Sequence, residues 1–302
     1  MRALTRGAAP LGLMLAAPAL AHAGHDHFAS PGWTWDPWII VPIVSTGMLF
    51  MRGWWILSTR STHGRRRLVL RGLCFAAGWL TMAGALISPL HAAGERSFTA
   101  HMVEHELLML VAAPLIVAAH PLSAMLWAFP AGARRAIGAV SASVPVSATF
   151  RFLSGAAAAT VLQAATLWVW HMPALFDLAL AHDGWHAAQH LSFIVSALLF
   201  WTAMLGRRGA GSGAPGARAL AAFCLLLTSI VTGALGALMA FSQSPWYSGY
   251  ARLAERSFGL GPAEDQQIAG LIMWIPGGLV HAVAALLLFR TVLVPRSARH
   301  AC

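Results

Sequence analysis

Residues 101–119, HMVEHELLMLVAAPLIVAA, join a short polar segment to a long apolar one. The apolar run Leu107–Ala119 has 13 residues and would be about 20 Å long as an α-helix, whereas the hydrocarbon core of a bilayer is about 30 Å thick. A helix that crosses the bilayer here therefore needs part of the segment 101–106 inside it. Ionisable side chains at that depth are costly, and they usually mark a functional site.

The composition of the whole chain is typical of a membrane protein. Of its 302 residues, 58% are hydrophobic and only 10% are charged, whereas a soluble domain carries about 25% charged residues. Apolar runs of about 20 residues recur along the chain, separated by short polar segments. We predict an all-α bundle of seven transmembrane helices, at about residues 37–57, 71–90, 101–120, 152–171, 186–205, 219–241 and 266–289.

The first residues resemble an export signal. Arg2 and Arg6 precede the apolar stretch Leu11–Leu20, and the small residues Ala21 and Ala23 suit a cleavage site, with a short uncleaved anchor as the alternative. The predicted organisation is a signal peptide at 1–23, a periplasmic histidine-bearing tail at 24–36, a seven-helix transmembrane domain at 37–292 and a cytoplasmic tail at 293–302.

The distribution of charge predicts the orientation of the chain. The formal net charge of +10 comes from 20 basic and 10 acidic residues. If the N-terminus lies outside after signal removal and the C-terminus is cytoplasmic, nearly all arginines fall on the cytoplasmic side, as the positive-inside rule requires. The basic excess therefore reflects topology. We expect membrane lipid around this chain and no nucleic-acid partner.

Two histidines in the opening stretch have the spacing of metal ligands. His101 and His105 are four residues apart, so on a helix they lie one turn apart on the same face, with Glu104 beside them. Two imidazoles in this arrangement can bind one metal ion. The alternative for such a pair, taken alone, is two solvated histidines at the end of an interfacial helix.

The same spacing recurs in a second helix. His186 and His190 repeat it, shortly after His171 ends the preceding span. In the predicted topology both H-x-x-x-H helices enter the membrane from the outer face, and His171 lies at the outer end of a span that runs outward. The histidines at this level are seven of the fourteen: His91, His101, His105, His171, His182, His186 and His190. The predicted metal site consists of His101, Glu104, His105, His171, His186 and His190.

The residue types at this site favour copper. Neutral imidazole suits zinc, copper, iron and nickel, whereas thioether favours monovalent copper. Met102 and Met172 lie next to predicted ligands, although methionine is more often a packing residue, and no cysteine falls in an outer loop. We therefore predict copper, with zinc and haem as alternatives. Glu104 and Asp177 are predicted acceptors that orient imidazole.

A further polar segment, GPAEDQQIAGLIMWIPGGLVH at 261–281, opens the last predicted span. Pro262, Glu264 and Asp265 are suitable residues for a helix start. His281 lies about 22 Å further along the helix axis, too deep to join the outer histidines unless the helix is displaced. We expect a hydrogen-bonded packing role for His281, with haem or proton binding as the alternative.

Several motifs together resemble the seven-helix CtaG family of bacterial cytochrome c oxidase assembly factors, named for the caa3-type oxidase. The motifs are HMVEHELLMLVAAPLIVAAHPL, WHMPALFDLAL followed by HAAQHLSF, LGALMAFSQSPWY and EDQQIAGLIMWIPGGLVH, and the likeness runs from about residue 37 to 292. The family's motif residues are, by position, His101, Glu104, His105, His171, Asp177, His186, His190, Asp265, Gln266, Gln267, Trp274 and His281. Supporting roles are predicted for Asp177, Met102, Met172, Asp265, Gln267 and His281.

The resemblance implies a role in maturation of haem-copper oxidase at the bacterial inner (plasma) membrane, through supply or insertion of copper. The implied partners are a cytochrome c oxidase subunit and periplasmic copper chaperones. The leading hypothesis is an assembly factor that is not an enzyme. The alternatives are a membrane electron carrier with haem held between histidines, a metal or proton transporter, and a zinc-dependent membrane hydrolase, for which the spacing in HMVEH is the only sign.

Overall fold

The computed structural model describes residues 32–61, 64–206, 214–253 and 259–293. Within these ranges the chain is all-helical and contains no β-strand, which confirms the predicted all-α class. The predicted signal peptide, most of the histidine-bearing tail and almost all of the C-terminal tail lie outside the described residues.

Long helices lie at both ends of the described chain, and most of the short ones lie between α2 and α11. In order they are α1 (Pro37–Arg60), α2 (Arg65–Ile87), α3 (Pro89–Gly94), α4 (Phe98–Glu106), a π-helix (Leu107–Ala112), α5 (Ala113–Ala119), α6 (Pro121–Trp127), α7 (Ala131–Ala142), α8 (Val144–Leu153), α9 (Ala156–Trp170), α10 (Pro173–Ala181), α11 (Asp183–Leu205), α12 (Pro215–Phe241), α13 (Ser248–Ala251) and α14 (Pro262–Leu293). The unit Phe98–Ala119 runs through α4, the π-helix and α5 as one candidate span.

The described residues contain six helices that are long and apolar enough to cross a membrane. Two bent pairs, α7 with α8 (65°) and α9 with α10 (73°), pass the same test together, so up to eight spans are present if each pair is one span. Helix α9 has 15 residues and is about 22 Å long, too short to cross the hydrocarbon core alone. The predicted span at 152–171 therefore ends at a bend that sequence analysis did not anticipate. The multi-pass membrane architecture is confirmed.

Helix α14 packs closely against α12 through two glycines. A Cβ on Gly270 would lie 2.5 Å from the carbonyl oxygen of Gly236, and one on Gly236 would lie 2.8 Å from the carbonyl oxygen of Gly270. Small residues let transmembrane helices approach each other in this way, and α14 also packs against α4. This close approach positions α14 beside the first turns of α4.

The helix that follows Glu106 is not a regular α-helix. Leu107–Ala112 forms a π-helix, a rare conformation that is frequent at functional sites. The carbonyl of Met109, inside this segment, accepts a 2.8 Å hydrogen bond from the indole N–H of Trp201 on α11. This bond ties α11 to the π-helix one turn beyond His105.

Candidate metal centre

Five imidazoles and one carboxylate meet at one end of the bundle. We define the histidine cluster as His91, His101, Glu104, His105, His186 and His190. One comes from α3, three from α4 and two from α11. Ring centroids of neighbouring histidines are 4.3–6.0 Å apart, so the H-x-x-x-H pairs of α4 and α11 contact each other directly. We call this end of the bundle the histidine end.

Glu104 lies between the histidines of α3 and α11 and is fully buried. Its Oε1 accepts a hydrogen bond from Nδ1–H of His91 at 2.8 Å, and Nε2 of His190 lies 3.4 Å from the same oxygen. One ligand atom from each of these three residues lies within 4.8 Å of the others. The three residues are therefore close enough to bind one ion together.

Most polar atoms of the cluster have no hydrogen-bond partner among the described residues. Both ring nitrogens of His101 and His105 are buried without one, and the same holds for Nε2 of His186 and of His190 and for Oε2 of Glu104. A buried polar group without a partner costs about 1–3 kcal/mol. A metal ion fits this donor set, because imidazole nitrogens and carboxylate oxygens could coordinate it through their free lone pairs. The ion would then be the partner that these buried atoms lack within the described chain.

His91 lies at the rim of the cluster, where its side chain is 12% exposed. Burial alone would lower its pKa, but the hydrogen bond and negative charge of Glu104 outweigh burial, so the pKa of His91 is raised. Gly94 allows this approach, because a Cβ there would lie 3.3 Å from the Cα of His101 and 3.5 Å from Oε2 of Glu104. Helix α3 can therefore lie directly against α4.

Asp265 of α14 anchors the first turn of α4. Its carboxylate accepts hydrogen bonds from the N–H groups of Phe98 (2.7 Å) and Thr99 (3.1 Å) and from the hydroxyl of Ser97 (3.1 Å). A carboxylate here satisfies free N–H groups and complements the helix dipole. Sequence analysis placed Asp265 at the start of its own helix. Both acids do lie in the first turn of α14, where Glu264 accepts from the Gly261 N–H, and Asp265 in addition holds the helix that carries three cluster residues.

Asp177, a predicted acceptor for imidazole, has other partners in the structure. Its carboxylate accepts from the N–H (3.1 Å) and hydroxyl (2.8 Å) of Ser248 and from the N–H of Gly249 (3.0 Å). These bonds cap α13, a short helix in the connection between α12 and α14. Among the two predicted acceptors, Glu104 is the one that contacts imidazole.

The segment 242–250 is fixed beside the cluster by side chains from several elements. The amide of Gln267 donates to the carbonyl of Ser242 at 2.9 Å, and the hydroxyl of Tyr250 donates to the carbonyl of Gly94 at 2.6 Å. Burial, and next the charge of Asp265, raise the pKa of Tyr250, so its phenol remains a donor. Gln267 and Tyr250 thus connect the segment to α14 and to the end of α3.

His171, a predicted ligand, lies beside the cluster at the bend between α9 and α10. Its Nδ1–H donates to the carbonyl of Leu167 at 2.7 Å, and its Nε2 is buried with no hydrogen-bond partner in the described ranges. The ring packs against Phe176 and Phe193 at centroid distances of 6.0 and 6.2 Å. The same two phenylalanines contact His101 and His105 respectively.

His281 lies apart, in the middle of α14. Its Nδ1–H donates to the carbonyl of Gly277 at 2.7 Å, and its ring stacks on Trp201 at 5.6 Å with an interplanar angle of 7°. These contacts agree with the expected hydrogen-bonded packing position. Of the two predicted methionines, Met102 is buried in the core and Met172 is 55% exposed.

Sequence analysis counted His91 among the outer histidines but did not assign it to the site. The site was predicted from the two H-x-x-x-H pairs, with Glu104 beside one and His171 shortly before the other, and His91 belongs to neither pair. Pro89, the first residue of α3, and Gly94, its last, were the available signals of a short helix that turns back towards α4.

Comparison with known proteins gives one result. A family model described as "cytochrome c oxidase caa3 assembly factor" matches residues 48–294, a range that includes the whole histidine cluster. Neither the curated proteins nor the solved structures contain a match to this chain.

Proposed function

The chain belongs to the family of cytochrome c oxidase caa3 assembly factors, and from this premise we propose that it binds copper at the histidine cluster and passes it to a nascent oxidase subunit. One observation carries the proposal: three separate helices bring five imidazoles and a buried carboxylate together, and most of their polar atoms lack partners within the described chain. Copper is the cargo of this protein, and no catalytic step is required of it.

The proposed topology has seven spans, with the N-terminus in the periplasm and the C-terminus in the cytoplasm of a bacterium. The signal peptide at 1–23, the periplasmic tail at 24–36, the transmembrane domain at 37–292 and the cytoplasmic tail at 293–302 belong to the same proposal. Four arginines in the first two turns of α2, at the end of that helix away from the cluster, support it through the positive-inside rule: Arg65, Arg66, Arg67 and Arg71. A reporter fused after Arg208 should be cytoplasmic, and an external reporter would overturn the orientation.

In this proposal His101, His105, His186 and His190 are the main ligands. Glu104 either binds the ion or orients the imidazoles around it, and its contacts with His91 and His190 suit both roles. We add His91 to the ligand set on the same contacts. His171 would join only if its Nε2 turned towards the cluster past its phenylalanine neighbours.

The packing of the cluster favours a small metal ion over haem. The imidazole rings pack against one another at centroid distances of 4.3–6.0 Å with Glu104 among them, as a compact donor set for a small ion and not as a single pair facing across a porphyrin plane. A haem held by two histidines needs the rings on opposite faces of such a plane. Among metal ions, copper is favoured over zinc because the family serves a haem-copper oxidase, and imidazole binds both.

Transfer requires a ligand that a partner can reach. His91 and His186 are the least buried histidines of the cluster, and their rings stack at 5.3 Å with an interplanar angle of 7°. Periplasmic copper chaperones would deliver the ion at this rim, and the oxidase subunit would receive it there.

The decisive test is metal analysis with an optical spectrum on freshly purified full-length protein. We expect about one copper per chain, lost in the variant His105→Ala/His186→Ala. The matched control is His281→Ala, which removes a buried imidazole outside the cluster. Unchanged copper in the double variant, a haem spectrum, or zinc in place of copper would each overturn the proposed site.

A second test addresses the role in the cell. Deletion of this protein should lower caa3-type oxidase activity, and excess copper in the medium should partly restore it. Normal oxidase assembly in the deletion strain would remove the role, whereas lost activity without copper rescue would separate assembly from copper supply.

A further inference from the structure

A cleft of about 380 Å³ lies at the end of the bundle opposite to the histidine cluster. Helix α2 begins at this cleft and runs about 33 Å to the histidine end. The cleft lies between the last turn of α1, the first two turns of α2 and helix α6. Its lining residues are Leu57, Ser61, Gly64, Arg67, Leu68, Arg71, Ser123 and Trp127. We call it the arginine cleft.

The arginine cleft has positive charge without a carboxylate to balance it. Arg67 and Arg71, one helical turn apart on α2, both line it. No aspartate or glutamate occurs anywhere between residues 37 and 94 or between 107 and 176, the stretches that supply every wall of the cleft. Two guanidinium groups in a concave site with no acidic neighbour in these stretches are suited to an anion from outside the chain.

Trp127 forms one wall of the cleft, and two further arginines contact its ring. The guanidinium carbon of Arg134 lies 4.1 Å from the Trp127 ring centroid, and that of Arg60 lies 6.0 Å from it. Such contacts are cation–π interactions. They hold two more positive charges beside the cleft, and a tryptophan at this level is typical of the membrane interface.

The surroundings of the cleft are those of a bilayer surface. Leu122, next to the lining residue Ser123, is 75% exposed, and Leu70 on α2 is 51% exposed. Leu57 and Leu68 line the cleft itself beside the arginines. A ligand with both a phosphate and an acyl chain would match this combination, whereas a free phosphate would leave the apolar walls uncovered.

We propose that the arginine cleft binds the headgroup of an anionic phospholipid, whose phosphate is held by Arg67 and Arg71 against Trp127. Guanidinium groups bind phosphate oxygens through paired, charge-assisted hydrogen bonds. Basic pockets between transmembrane helices are known binding places for anionic headgroups. The proposal is independent of copper, because the cleft and the histidine cluster share no residue.

The test compares two double variants on the same helix. Arg67→Gln/Arg71→Gln removes both charges that line the cleft. Arg65→Gln/Arg66→Gln removes two exposed arginines that do not line it and is the matched control. Each full-length protein is placed in nanodiscs of phosphatidylcholine mixed with phosphatidylglycerol, and retained lipid is counted by native mass spectrometry.

We expect the wild type and the control to retain phosphatidylglycerol, and the cleft variant to retain it at least about tenfold less. Excess inorganic phosphate should not displace the lipid; displacement would reassign the cleft to free phosphate and overturn the lipid part of the proposal. If both double variants lost phosphatidylglycerol equally, binding would depend on general surface charge and not on the cleft. If the wild type retained phosphatidylcholine as well as phosphatidylglycerol, the cleft would not select the headgroup. Either result overturns the proposal. Arg71→Lys, which keeps the charge, should have an intermediate effect and serves if the double variant does not fold.

Discussion

The histidine cluster and His281 show two ways in which this protein buries an imidazole. His281 satisfies Nδ1 with a carbonyl of its own helix, and its ring lies flat on Trp201. His101 and His105 have no hydrogen-bond partner on either nitrogen within the part of the chain that the structure describes, and their neighbours include other imidazoles. Both environments are buried, so burial does not separate them. What separates them is convergence, because among the described residues the cluster brings ligand atoms of His91, Glu104 and His190, from three helices, within 4.8 Å of one another.

The largest effect on copper binding should come from replacing one histidine of each environment with alanine. His101→Ala should weaken copper binding by more than about 100-fold, since it removes a proposed ligand and not only its support. His281→Ala should leave copper binding unchanged and destabilise the protein by about 2–5 kcal/mol, as loss of a large buried side chain does. Copper titration and thermal unfolding of both variants measure this. Equal copper loss in the two variants would erase the distinction drawn between the environments.

A smaller effect on copper affinity is expected from changing Glu104, the carboxylate beside the histidines of the cluster. Glu104→Gln keeps the size of the side chain but removes the charge beside His91 and His190. Copper affinity should fall about 10–100-fold, the range for residues that orient ligands. Glu264→Gln, whose carboxylate accepts from the Gly261 N–H at the start of α14, is the control. An affinity unchanged by Glu104→Gln would leave the imidazoles as the sole determinants of the site.

The cluster depended on tertiary contacts that the sequence could not reveal in full. The four-residue spacing within α4 and within α11 predicted which face of each helix is polar, because helical periodicity is local. Asp265 lies more than 160 residues after Ser97, which it contacts, and nothing local connects them. The bend before α10 had a local signal that was not used: Pro173 follows Met172, and a residue before proline is biased away from helical conformation.

Asp265 offers the third test, because it supports the cluster from outside. Asp265→Ala removes three acceptor contacts from the first turn of α4 and should destabilise the protein by about 1–2 kcal/mol. Copper affinity should fall by up to about tenfold, as His101 loses its fixed backbone. Glu264→Ala, which removes a single contact on an exposed helix start, should do neither. Equal effects of the two alanines would show that the cap does not position the cluster.

The smallest effect should come from moving α3 alone. Gly94→Ala places a methyl group 3.3 Å from the Cα of His101, so α3 must shift by a few tenths of an ångström and carry His91 with it. A cost of about 1 kcal/mol corresponds to roughly fivefold weaker copper binding. Gly84→Ala, whose methyl group would meet no other atom within 4 Å, is the matched control. If both substitutions are silent, His91 is a neighbour of the site and not part of it.

The π-helix after Glu106 has a consequence for how the span can change. An α-helix advances by about 100° per residue, and a π-helix holds one residue more in its turn than a regular helix does. The two halves of the span therefore differ in phase: α11 and Asp265 position the turn with His101 and His105, and α2 and α11 pack against the half beyond Met109. Removing one residue from Leu107–Ala112 would put both halves in the same phase, and the ligand face and the packing face could then no longer be oriented independently.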